Sequence, residues 1–169
     1  VEVLGQLVTP HEDDTRSYVN VAQAVNSDGV TVGYSYGWID EDETNPSASE
    51  RRALYAVVFK DGQVRDFTED HSKYFDSKAY DINDAGIAVG DAFTYINGSL
   101  RTKFYHVDTT DIDNMTMVLP EDFFAGSSST ARAINEAGII VGSGEVETHN
   151  DRSQNPRRRH GFMYDINSQ

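Results

Sequence analysis

A twelve-residue pattern recurs three times along this 169-residue chain, and it constrains the fold more than any other feature. The copies occupy residues 22–33, 79–90 and 131–142 and share the form A-x-x-[VI]-N-x-x-G-[VI]-x-V-G. Their asparagines, Asn26, Asn83 and Asn135, are separated by 57 and then 52 residues. Recurrence at such a period is the signature of one supersecondary unit stacked several times.

Each copy reads as a β-hairpin. Asn at the first turn position, with Gly29, Gly86 or Gly138 three residues later, suits a type I turn closed by a left-handed residue. The asparagine side chain is suited to cap the turn backbone, and glycine takes a positive φ without steric cost. Val and Ile on either side supply short β-branched strands. The second glycine, Gly33, Gly90 or Gly142, reads as a bulge or a close backbone approach.

Further strands are expected after each hairpin, at 56–59 and 63–67, at 103–107 and 115–119, and at 160–164. Residues 1–8 read as the fourth strand of a unit whose earlier part is missing, and the strands make three full blades if this one completes the last unit. The chain, 1–169, is therefore expected to be a single repeat-built all-β domain, β-propeller-like, with about three four-stranded repeats. A closed propeller normally has 4–8 blades. Three units thus read as a fragment of a larger propeller or as an open blade array. Open edge strands invite pairing, so a homodimer or association with the remainder of a parent chain is expected.

Composition narrows the function. The formal net charge of −14 argues against nucleic acid and against anionic lipid, both of which recruit basic surfaces. No apolar run approaches the roughly 20 residues of a membrane-spanning helix. The absence of cysteine excludes zinc-thiolate sites, disulfides and thiol nucleophiles. The five histidines lack metal-ligand spacing, and neither a nucleophile elbow nor a phosphate-binding glycine loop occurs.

The repeated motif, followed by A-V-V-F-K-D-G at 56–62 and H-G-F-M-Y-D at 160–165, resembles the HAF-type extracellular bacterial repeats. More narrowly it is similar to an uncharacterised group of exported gammaproteobacterial proteins carrying several such repeats. The resemblance implies a propeller-like β architecture and a periplasmic, cell-surface or secreted location, and it implies no catalytic residues. Lys103-Phe104-Tyr105 departs from the pattern, lacking the small residue seen at Ala56 and Gly161.

Candidate functional residues lie on the strands and loops beyond the turns. Alternation places Tyr34, Tyr36 and Trp38 on one face of a strand, and Phe93 and Tyr95 follow the same rule in the second unit. With Arg52, Arg101 and Arg159, which recur before the third strand, they form a possible ligand face for a polysaccharide or a partner protein. Two acidic clusters, one with Asp40 and Asp42 and one with Asp111 and Asp113, are weak calcium candidates, and neither follows the EF-hand loop. No other cofactor is expected. These features point to a non-catalytic binding or surface-scaffold module. The alternative is a carbohydrate-active propeller enzyme, a hydrolase or lyase, using loop carboxylates.

Overall fold

The computed structural model describes residues 1–7, 19–38, 52–67, 74–121, 123–147 and 157–168. All ten elements among the described residues are β-strands, and they form three antiparallel sheets, none closed on itself. The first holds β1 (Asn20–Val25), β2 (Thr31–Trp38), β3 (Arg52–Lys60) and β4 (Gln63–Asp66), in that order. The second runs β5 (Tyr74–Ile82), β6 (Ile87–Ile96), β7 (Ser99–Asp108), and the third runs β8 (Ser129–Ile134), β9 (Ile139–Glu147), β10 (Arg158–Asp165). Every sheet is a meander of sequential neighbours, and the twelve-residue motif supplies the first hairpin of each.

The three hairpins share one register. Gly33 pairs with Ala22, Gly90 with Ala79 and Gly142 with Ala131, and a bulge follows on the first strand at Ala22/Ala24, Ala79/Asp81 and Ala131/Ala133. The bulge explains the second glycine. A β-carbon at Gly33, Gly90 or Gly142 would collide with the carbonyl oxygen of Val21, Lys78 or Thr130 respectively.

Strand alternation lets the middle sheet pack on both faces. Ala88, Ala92, Tyr105 and Val107 meet Val30, Val32, Ala56, Val58 and Phe67 of the first sheet in one core. Val89 and Phe104 turn the other way and meet Ala131, Ile134 and Ile140, with Phe162 and Tyr164, in a second core. The sheets are therefore stacked in chain order, joined by two apolar seams.

Two expectations are corrected. Residues 1–7 contain no strand and do not complete the last unit; Leu7 donates its N–H to Ser35 Oγ, and Gly5 lies against Val64, both in the first sheet. Glycine within the segment and a side-chain acceptor for Leu7 replace a ladder. Residues 115–119 shrink to one bridge between His106 and Val118, because Pro120 ends the segment and Met117 is committed to the core.

Candidate functional site

The three turns are built alike. Gly29, Gly86 and Gly138 have φ of 79°, 81° and 78°, and each donates its N–H to the carbonyl of the turn asparagine at 3.0–3.1 Å. Asn26 Oδ1 accepts from Asp28 and Val30, Asn83 Oδ1 from Ile87, and Asn135 Oδ1 from Ala137 and Ile139, at 2.9–3.1 Å.

The remaining polar groups bind one turn to the next. Asn26 Nδ2 donates to the Asn83 carbonyl at 3.2 Å, and Asn83 Nδ2 donates to the Asn135 carbonyl at 3.1 Å. One residue on, Ser27 N–H donates to Asp84 Oδ1 at 2.8 Å, and Asp84 N–H donates to the Glu136 carboxylate at 2.9 Å. The result is a two-rail ladder along the stack with a fixed polarity, donors pointing toward the later unit. The backbone N–H of Ser27 holds the Asp84 carboxyl below its usual range. A serine bond also recurs across the seams: Ala56 N–H donates to Ser77 Oγ and Phe104 N–H to Ser129 Oγ.

Among the described residues, buried charges lie in the seams. Asp91 on β6 accepts from the Tyr80 hydroxyl at 3.3 Å and from the Thr130 side chain, and the Arg132 guanidinium lies 4.8 Å from the Tyr80 ring centre. Burial pushes the Asp91 carboxyl up, against those hydrogen bonds and the charges of Arg132 and Lys78. Burial, with Asp91 nearby, pushes the Tyr80 hydroxyl up to about 12. Further along, Lys103 Nζ donates to the Ser127 carbonyl at 2.9 Å, and Glu145 accepts from Ser128 N–H and Arg157 at 2.9 and 2.8 Å. Burial alone would raise Glu145, but the hydrogen bonds from Arg157 and Ser128 and the charges of Arg157 and Arg101 hold it low.

Lys103 carries a pH prediction. Burial pushes its ammonium down to about 8 from 10.5, so the folded state resists protonation that the unfolded chain accepts. Its cost is present below pH 8 and is relieved as pH rises from about 8 toward 10.5. Stability is expected to climb over that window with a slope approaching about 1.4 kcal/mol per pH unit. Urea unfolding at pH 7.5, 8.5 and 9.5 reads this slope, and Lys103→Met should remove it; an unchanged slope would contradict it.

The possible ligand face is divided among different surroundings. Tyr34 is half-buried in the first seam, its ring 5.0 Å from Lys78 Nζ, and Tyr36 is half-buried on the same strand. The side chains of Trp38 and Arg52 and all of Asp40 and Asp42 lie outside the described residues. Phe93 and Tyr95 are exposed on one face of the β6–β7 hairpin, joined there by Leu100, which pairs with Tyr95. Arg101 follows on β7 with its Nε buried and unpartnered among the described residues. Arg159 is exposed and donates to Ser143. Asp111 is spent locally, accepting from Asp113 N–H and Asn114 Nδ2, while Asp113 faces Arg65 at 3.4 Å. No group of three or more metal-ligating side chains occurs among the described residues.

Sequence reasoning passed over Asp91, Tyr80 and Arg132 as a group. The available signal was a charged residue at an inward position: Asp91 interrupts an otherwise apolar and aromatic alternation in β6.

No curated protein matches the chain, and no solved structure matches it. A family model does match, over residues 1–169, and the chain therefore belongs to the family described as Protein of unknown function (DUF3466).

Proposed function

We propose that this chain is a non-catalytic binding or surface-scaffold module of an exported bacterial β-repeat protein, with its units arranged as propeller blades. The observation that carries the binding reading is the β6–β7 hairpin. Its Asn97-Gly98 tip has the positive φ pair of a tight hairpin turn, 50° and 73°, and it holds Phe93, Tyr95 and Leu100 out on one face. Rigid aromatic side chains offer large contact area at low entropic cost, which suits stacking on sugar rings or docking a protein. The side-chain amides of Asn26 and Asn83, by contrast, are spent on the ladder. Export is supported by the resemblance to extracellular repeats.

Thermal shift against neutral and acidic polysaccharides tests this. A ligand at about 100 times its Kd adds about 2.7 kcal/mol, or roughly 5–11 °C for a chain of this size. Tyr95→Ala is expected to abolish the shift while leaving the unliganded Tm within about 2 °C, since Tyr95 is 58% exposed. A shift that survives Tyr95→Ala would place binding elsewhere.

A carbohydrate-active hydrolase or lyase is the second reading, favoured by Asp91, a buried carboxyl of raised proton affinity hydrogen-bonded to Tyr80. Turnover of a polysaccharide, lost in Asp91→Asn with the fold retained, would decide for it.

A further inference from the structure

The outer face of the third sheet repeats, position for position, the faces that the first two sheets bury. Val32, Val89 and Val141 each precede the second glycine of the motif, and they pair with Val58, His106 and Met163. In the first two sheets these positions are covered: Val32, Val58 and Val89 are 0% exposed and His106 is half-buried. In the third, Val141 is 44% and Met163 is 74% exposed. Gly161 stands where Ala56 and Phe104 donate to a serine of the next sheet, and it too is exposed.

The ladder ends at the same place. Asn135 Nδ2 and Glu136 N–H are the next donors on its two rails, and neither has an acceptor among the described residues. Asn83, one step earlier, is 2% exposed, whereas Asn135 is exposed. The other end differs. Residues 5–7 lie against the first sheet, and its first turn carries Ser27 where the later turns carry the accepting carboxylates of Asp84 and Glu136. The stack is thus donor-ready at its β8–β10 end.

We propose that the β8–β10 outer face is a docking surface for a fourth unit of this same repeat, stacked in tandem on the third as the third is on the second. The incoming unit would offer an Asn carbonyl to Asn135 Nδ2 and, one residue on, a carboxylate to Glu136 N–H. Its first strand would bring a serine toward Gly161, and its apolar face would cover Val141 and Met163. A two-fold copy of this chain is a poorer match, because it would bring donor rails against donor rails. The inference rests on the repeat-array reading and is independent of any ligand at the β6–β7 hairpin.

The test appends a duplicate of residues 109–169 after Gln169, leaving the full chain intact, and follows amide exchange by NMR. Glu136 N–H is expected to exchange about tenfold more slowly in the extended chain than in the parent. Met163→Glu is expected to abolish that protection while leaving the parent's Tm unchanged. An unprotected Glu136, or an appended unit that stays unfolded on the face, overturns the proposal. A second measurement uses the chain alone: a large Tm loss from Met163→Glu shows the face already covered, and a sedimenting dimer split by Met163→Glu makes a second copy the occupant. Either result overturns it.

Discussion

Gly90→Ala is expected to cost the fold about 3 kcal/mol or more, the upper range for forcing atoms into a packed interior. For a chain of this size that is a fall in Tm of roughly 6–12 °C. The cause is space. The added β-carbon would collide with the Lys78 carbonyl oxygen and stand 2.6 Å from the Tyr105 hydroxyl and 2.8 Å from its ring. Tyr105 has no room to retreat, being fully buried with its hydroxyl donating to that same carbonyl at 3.0 Å. Gly29→Ala is the control, since nothing lies within 4 Å of its added carbon. It pays only for a left-handed backbone, about 1–2 kcal/mol. Calorimetry of the two variants separates the causes, and equal losses would show that the bulge contact is not close.

Asn83→Asp is the second large effect. The change keeps the acceptor that holds Ile87 N–H and removes only the Nδ2 donor, leaving a carboxylate against the Asn135 carbonyl. Asn83 is buried, so water cannot easily replace the lost bond. The expected cost is about 2–3 kcal/mol, that of a buried polar group left unsatisfied. Asn135→Asp makes the same chemical change where Nδ2 has no acceptor among the described residues and water has access. Its expected cost is under about 0.5 kcal/mol. Urea titration of both variants at pH 7 measures the difference, and comparable losses would mean that the asparagines act within their own turns alone.

The hairpins were legible because their signals are local. Asn and Gly at set positions, with β-branched residues on either side, leave few alternatives to a tight turn between strands. The first and third strands of each sheet followed from the same alternation. What the sequence could not disclose were relations between units. Asp84 and Glu136 look like ordinary turn residues, and their role as acceptors for the preceding turn appears only when the sheets are stacked. Lys103 and Asp91 break the alternation of their strands, a visible irregularity whose partners, Ser127 and Tyr80, are set by the seams. Residues 1–7 misled because alternating apolar residues suit a strand, and nothing local announces that Leu7 N–H is taken by a serine side chain.

The candidate site was legible to a lesser degree. Phe93 and Tyr95 are exposed together, whereas Tyr34 and Tyr36 are half-buried in the first sheet. Tyr34 lies in the first seam beside Lys78, whereas Phe93 and Tyr95 stand on the half of the β6–β7 hairpin nearer its Asn97-Gly98 tip.

The ladder joining the three turns is tested directly by solvent exchange of six N–H groups. In the full chain at pH 7, the side-chain amides of Asn26 and Asn83 and the backbone amides of Ser27 and Asp84 should exchange slowly. Those of Asn135 and Glu136 should exchange about tenfold faster, as expected for groups lacking the inter-unit bond. Six similar rates, or protection greatest at Asn135 and Glu136, would contradict a polar stack built by these asparagines.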